Sequence, residues 1–538
     1  MTSKMKGNFT YMTFKDLADK YQDKFGTKIM IARVGNQYHE LADEYNGEEN
    51  VEFLDMASSE GMAAYKKSLL FVMLKAFHDL YHKTTVNVMF SLGSATYIEA
   101  DMPITDEVIE AVRAKMIETI NKDIPFQKEV ISTNKAISHF REYGMEAKAK
   151  AFEYRRTSTT NVYKLGYFEN YFYGDLAYST GYLSVFDIRK YKDGFVLIYP
   201  EISNPTEIQY SGKYDKMYDR LKTTSTWARN LNISSAGTLN DVIVNRKMSD
   251  LILLQEAVME SHMTAIAQEV IRQNKKAVFI AGPSSSGKTT SSNRLSVQLK
   301  THGYNAHPIA CDDYFHNRED IPYDENGKQN FEALSVLDTA TLEADVLALL
   351  AGKTVELPKF NFITGKREYT GKTLTLGDND ILVIEGIHCL NPQFLPNVDA
   401  YKMYVSALPV LNLDGHNYIS SSNSRLLRRI ARDASHRGAS AQKTISMWKS
   451  VREGEEENIF PYQENADVIF NSSLIYELPV IKTVAEPLLF AVDRNSEEWA
   501  TAKTLLKFLD FFLGYPGNEV PTNSVLREFM GGSCFDVG

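Results

Sequence analysis

One segment constrains this chain more than any other: Gly282-Pro283-Ser284-Ser285-Ser286-Gly287-Lys288-Thr289. It directly follows the apolar run Ala277-Val-Phe-Ile-Ala281 and precedes an amphipathic stretch from Ser291 to Lys300. The spacing G-x-x-x-x-G-K-[ST] predicts a buried strand, a phosphate-binding loop and a helix in succession. Glycines let the backbone wrap a phosphate so that its N–H groups converge, and the helix N-terminus adds partial positive charge. In such a loop Lys288 reaches the β and γ oxygens of a nucleoside triphosphate, and the Thr289 hydroxyl ligates Mg²⁺. Gly282 through Thr290 is thus the expected ATP-binding segment, with ATP and Mg²⁺ as cofactors.

Phosphoryl transfer to a hydroxyl also needs carboxylates. Ile381-Leu-Val-Ile-Glu385 is an apolar run ending in an acid, which a parallel sheet presents to its crevice, so Glu385 is the expected partner of Thr289 at the metal. A second run, His307-Pro-Ile-Ala-Cys311, ends in Asp312 and Asp313. Adjacent residues on a strand point opposite ways, which leaves one acid facing the phosphate. Asp312 is taken as the general base and Asp313 as a structural or capping residue. Arg425, Arg428, Arg429, Arg432 and Arg437 follow a Gly415–Ser424 loop read as flexible. Such a run alone reads as a solvated helix face. Beside a phosphate loop, guanidinium groups can close over a transferring phosphoryl group, and Arg432 and Arg437 are the expected contacts.

The rest of the 538 residues is organised around that region. A chain this long exceeds one compact core. Residues 1–60 read as a small β-rich module with a strand at Lys28–Val34 and a turn at Gly35-Asn36. Residues 61–210 read as an α+β domain: a helix from Glu60 to His82, a second capped at Thr105, and a β-meander from Tyr163 to Pro200. Residues 211–274 read as a polar boundary and a connecting helix. Residues 275–475 alternate short apolar runs with amphipathic stretches, as a doubly wound parallel sheet requires. Residues 476–538 read as amphipathic helices packing on that core. Three cysteines, Cys311, Cys389 and Cys534, argue against a disulfide framework or zinc cluster and for a reducing cytoplasm. A net charge of −10 gives no global attraction to nucleic acid, and no apolar run approaches the roughly 18 residues of a membrane span.

From Gly282 onward the motifs GPSSSGKTT, CDDYF, NFEALSVLD, LPKFNFITGKR, VIEG, RLLRRIARDASHRG and ENADVIF fall in one order. In this they resemble the uridine kinase/phosphoribulokinase family. The resemblance implies an ATP-dependent kinase acting on a small-molecule hydroxyl, with a nucleoside 5′-hydroxyl as the expected acceptor. It places the base on Asp312, a ribose-binding acid on Glu332, a nucleoside-side arginine on Arg429 and lid arginines on Arg432 and Arg437. Where uridine kinases set a Tyr and a His against the base, this chain has Phe360 and Gly365, and two lid contacts are replaced near Ala439 and Met447. Selectivity for uracil is therefore not implied.

The N-terminal half is similar to the editing portion of threonyl-tRNA synthetases. A TGS-like module would precede a domain marked by Tyr65-Lys-Lys-Ser68, Ile104-Thr-Asp-Glu107, Asp123-Ile-Pro-Phe126 and Ser179-Thr-Gly181. That family's four metal ligands fall on Lys67, Phe71, Phe172 and Leu176, so the similarity implies binding or regulation, without zinc and without deacylation. His78 and His82 stand one helical turn apart with no third ligand in sight. Expected partners are a small-molecule substrate, RNA or a small ligand at the N-terminal region, and a second copy of the chain; no membrane is expected. A second reading is an RNA-associated regulatory protein whose phosphate loop serves as a nucleotide-dependent switch. A switch needs no base, so Asp312 separates the two.

Overall fold

The computed structural model describes residues 12–47, 50–321, 329, 331–361 and 363–537. Residues 1–11, and Asn330 and Phe362 of the quoted motifs, lie outside them.

The C-terminal half is organised by a sheet of five parallel strands. Their spatial order is Asn305–Ala310, Asp380–Glu385, Ala277–Ala281, Tyr401–Ser406 and Val468–Asn471. Ala277–Ala281 is buried at every position and sits in the middle. Strands covered on both faces read as continuous apolar runs, which is why these segments stand out in the sequence. The chain leaves the central strand at Ala281, and its neighbours end at Glu385 and Ser406. The crevice beyond these ends is where ligands bind in open α/β sheets. An antiparallel hairpin, Val355–Asn361 with Lys366–Leu374, stands apart from the sheet.

The N-terminal half contains three antiparallel sheets. One pairs Ile29–Val34 with Gln37–Glu40 and Val51–Asp55. The stretch expected to be one meander divides between the other two. Thr159–Leu165 and Phe168–Asn170 join Gln127–Ser132, whereas Asp187–Tyr191 and Gly194–Ile198 join Val86–Leu92 and Ala95–Ala100. Between these hairpins, the Thr180 N–H bonds the Ile124 carbonyl and its hydroxyl accepts from the Ile124 N–H, tying the connection to a different part of the chain. Helix Ser59–Leu80 starts at an Ser58 cap and is buried without interruption from Ser68 to Phe77, so it is a core helix. Helix Asp106–Asn121 begins at the Thr105 cap.

Two expectations from composition are corrected. The polar stretch from 211 to 243 is helical, as Asp215–Asn230 and Ala236–Val244, ahead of helix Met248–Arg272. In the first of these helices the sparse apolar residues Met217, Tyr218, Leu221 and Ala228 are the buried ones, at helical spacing on one face. The loop before helix Ser421–His436 is held in place. The Val88 N–H donates to the Gly415 carbonyl at 2.8 Å, Asn412 Nδ2 donates to Val88, and Asn417 Nδ2 donates to Tyr171. Asp414, Asn417 and Ile419 are buried. Gly and Ser read as slack where Gly415 in fact docks against the N-terminal half and the serines cap and begin the helix.

Candidate active site

The phosphate loop is shaped by close backbone approach. Gly282 lies against the Val405 carbonyl and the Ser286 hydroxyl, and a Cβ there would collide with both. Gly287 caps helix Lys288–Thr301 at φ 86°, the left-handed region that only glycine enters without strain. Ser285 has φ 58°, a conformation costing about 1–3 kcal/mol for a side-chain-bearing residue unless its surroundings enforce it. Those surroundings are two buried arginines. Arg425 donates to the Ser284 carbonyl at 3.1 Å, and Glu455 receives both the Ser284 N–H (2.9 Å) and Arg425 Nη2 (2.8 Å). Arg428 pairs with Glu477 (Nη2–Oε2 2.6 Å) and reaches the Ser285 and Ser286 carbonyls at 3.5 Å. The Ser472 hydroxyl also donates to the Ser286 carbonyl.

Inside this cradle, Lys288 Nζ donates to the Gly282 carbonyl at 2.9 Å. The Thr289 hydroxyl donates to Glu385 Oε2 at 3.3 Å. The Ser285 and Ser286 hydroxyls are buried with no hydrogen-bond partner among the described residues. Such groups are costly unless a ligand satisfies them. A loop closed by glycine, two orphaned hydroxyls, an ammonium and a threonine–carboxylate pair fit a polyphosphate with its magnesium ion.

Asp312 and Asp313 do diverge, for a reason other than the expected one. The strand stops at Ala310, and Cys311–Tyr314 is a 3₁₀ turn, in which successive side chains rotate about 120° apart. Asp313 turns to the hairpin, accepting the Phe360 N–H at 3.2 Å and pairing with Lys359. Asp312 reaches solvent along one side, yet the protein around it raises its carboxyl above the ordinary value. Lys288 and Arg437 pull it back down. Burial also pushes Glu385 up to about 7, against the pull of Lys288. Glu332 packs on Gly454 and is likewise raised by burial, opposed by Arg429 and Lys288. Three separated carboxylates thus lie in the field of Lys288.

The arginines divide. Arg425 and Arg428 are wholly buried supports of the loop. Arg429 donates to the Ser284 hydroxyl at 2.9 Å, touching the loop itself. Arg432 bonds Asp433 at 3.1 Å, and Arg437, just past the helix end, is half exposed with Asp312 in its field. Phe360 is buried and packs edge-on to Phe315, ring centroids 5.7 Å apart. Gly365 is the turn of the hairpin (φ 70°), bonded through its carbonyl to the Arg318 N–H. His388, in the turn after Glu385, is buried, and burial drives its pKa down to about 4.

Two features of the site were not read from the sequence. One is the supporting role of Arg425 and Arg428, hidden in a run that looks uniformly basic. The other is Glu528, whose carboxylate accepts both the Thr290 N–H (3.2 Å) and the Thr290 hydroxyl (2.6 Å). Its only signal is an acid isolated among Val525, Leu526 and Phe529.

In the N-terminal half, Phe71, Phe172 and Leu176 are core residues, the first two 5.1 Å apart by ring centroid, and Lys67 lies against Gly174. His78 stacks on Phe168 at 4.8 Å. Among the described residues no group of three or more His, Cys, Asp or Glu side chains is arranged to hold a metal. No described helix is long and apolar enough to cross a membrane. A cavity of about 400 Å³ opens between the segments around Phe77–Asn87 and Arg141–Lys148 and the loop residues Gly415 and His416.

Residues 277–476 match the family described as "Phosphoribulokinase / Uridine kinase family". A uridine kinase of Ligilactobacillus salivarius (strain UCC118) is 30% identical over 200 residues, 37% of this chain and 86% of that protein. One from Macrococcus caseolyticus (strain JCSC5402) is 30% identical over 193 residues, 36% of this chain and 85% of that protein. A solved structure of a possible uridine kinase from Bacillus stearothermophilus matches at 22% identity, covering 37% of this chain and 89% of that one, with a TM-score of 0.25. The chain belongs to the phosphoribulokinase/uridine kinase family through this region.

Proposed function

We propose that this protein is an ATP- and Mg²⁺-dependent kinase that phosphorylates a hydroxyl of a small molecule, a nucleoside 5′-hydroxyl being the favoured acceptor. One observation carries the reading: Glu385 at a strand end, Asp312 in the turn after another and Glu332 in an irregular segment all lie in the field of Lys288 beside the phosphate loop.

Each residue then has a task. Loop N–H groups and Lys288 hold the polyphosphate; Thr289 and Glu385 would hold magnesium, which would supply charge to offset that of the phosphates. Asp312 accepts a hydrogen bond from the acceptor hydroxyl, orients it, and takes its proton as the new O–P bond forms and the bond from the γ-phosphorus to the bridging oxygen breaks, releasing ADP. Glu332 accepts from sugar hydroxyls on the acceptor side. Arg432 and Arg437 supply positive charge opposite the negative charge of the transferring group, and Arg429, in the field of Glu332, stands on the acceptor side. Because Phe360 and Gly365 offer no side-chain polar group, the base of the acceptor is not selected by hydrogen bonds from these positions.

For the N-terminal half we propose a binding or regulatory role without metal chemistry. The 400 Å³ cavity, within the range of small-ligand sites, supports it, as does its contact with the loop leading to helix Ser421–His436. The test of the whole reading is ADP release from ATP-Mg²⁺ in the presence of a panel of nucleosides and sugar phosphates.

A further inference from the structure

The C-terminal segment does more than cover the sheet. Ser524, Val525, Leu526, Glu528 and Phe529 are all buried. Val525 presses on Gly287, where any Cβ would strike its methyl group. The Phe529 ring lies 4.9 Å from the guanidinium of Arg428, one of the two arginines supporting the phosphate loop. Between them, Glu528 is 5% exposed and directs its carboxylate at Thr290.

Thr290 is the third residue of helix Lys288–Thr301, and its N–H is among the first-turn donors that the helix itself cannot satisfy. These donors, with the partial positive charge of the helix end, are what a phosphate loop offers to an anion. In this chain one of them, and the adjoining hydroxyl, are already held by an anion belonging to the protein. Glu528 also adds to the field that raises Glu385, so its charge is felt at the metal-binding side of the loop.

We propose that Glu528 competes with the nucleotide polyphosphate for Thr290 and so sets the affinity of the site. A bound polyphosphate must either displace the carboxylate from Thr290 or sit beside a buried second anion, and both weaken binding. This rests on the nucleotide-binding reading above. The contact is charge-specific: a neutral side chain of the same shape can still accept the Thr290 N–H without repelling phosphate.

The experiment is calorimetric titration of full-length wild type and Glu528→Gln with Mg²⁺-ADP, magnesium pyrophosphate and adenosine. The expected result is roughly tenfold or more tighter binding of ADP and pyrophosphate by Glu528→Gln, with adenosine unchanged. Equal or weaker binding of ADP and pyrophosphate by the variant overturns the competition and leaves Glu528 as a helix cap. Wild type that binds neither phosphate ligand overturns the nucleotide reading itself. Should Glu528→Gln fail to fold, Glu528→Ser carries the same expectation; failure of both marks Glu528 as an obligatory cap and also overturns the proposal.

Discussion

The two halves of the molecule treat carboxylates held against the protein interior in opposite ways. In the N-terminal half, Glu40 accepts from the Tyr163 hydroxyl at 2.6 Å, the Leu176 N–H at 2.9 Å and Lys128 at 3.0 Å. Its oxygens are committed, and it ties a strand of the first sheet to the neighbouring domain. Beside the phosphate loop, Glu385 accepts from the Thr289 hydroxyl alone among the described side chains, at 3.3 Å, and burial lifts it to about 7. Glu40 is buried and Glu385 keeps partial access to solvent, and only the second keeps acceptor capacity in reserve. A saturated buried acid holds structure together, whereas an unsaturated one beside a phosphate loop is placed for a ligand.

The largest expected effect falls on Asp312. Asp312→Asn keeps the shape and removes the basicity, and should lower turnover by roughly 10²–10⁴ while ATP binding stays within a few-fold. Asp313→Asn, whose partners are Lys359 and the Phe360 N–H, should do far less. Steady-state rates of both variants check this, and a reversed order would make Asp313 the base.

Next is the support beneath the loop. Arg428→Met leaves Glu477 buried without its partner, which should cost about 3–5 kcal/mol in a denaturant titration. Glu477→Leu added to it should recover much of that loss. A double variant no more stable than the single one would show that Arg428 acts through the loop carbonyls and not through the ion pair.

A smaller effect tests the contrast between Glu385 and Glu40 directly. With its folded pKa raised to about 7, Glu385 is protonated in the native chain over a range where the unfolded chain has lost that proton. Its contribution to stability is full below the ordinary Glu pKa of about 4.3 and is lost as pH rises through 7. In EDTA, Glu385→Gln should therefore raise Tm relative to wild type at pH 8 more than at pH 5. A gain independent of pH would show that Glu385 does not titrate in that window. The smallest effect is expected in the N-terminal half: Glu40→Gln should lower Tm and leave turnover unchanged, and the purified chain should carry no stoichiometric zinc by elemental analysis.

What could be read from the sequence follows the same division. The strand-loop-helix at Ala277–Thr301 was legible because a continuous apolar run, left-handed glycine and Lys-Thr occur consecutively, so local chemistry and fold coincide. Asp312 and Glu385 are expected from strand ends and Glu332 from family order, and all three lie in the electrostatic field of Lys288. Long-range partners were not legible. Nothing in the spacing of Arg425 and Arg428 says that Glu455 and Glu477 will neutralise them, and they lie 30 and 49 residues away. Glu528 lies 238 residues from the Thr290 it holds. The Gly415–Ser424 stretch misled because glycine and serine mark slack as readily as a docked turn or the start of a helix.

The most direct test of the central claim is acceptor-dependent ADP formation by purified wild type and Lys288→Ala, with magnesium and a panel of nucleosides and sugar phosphates. The account predicts ADP release stimulated by at least one acceptor hydroxyl, and a loss on the order of 10²-fold or more in Lys288→Ala that still folds. ADP formation indifferent to every acceptor and unaffected by Asp312→Asn would favour the nucleotide switch. Near-normal acceptor-dependent turnover in folded Lys288→Ala would contradict the phosphate loop as the catalytic site.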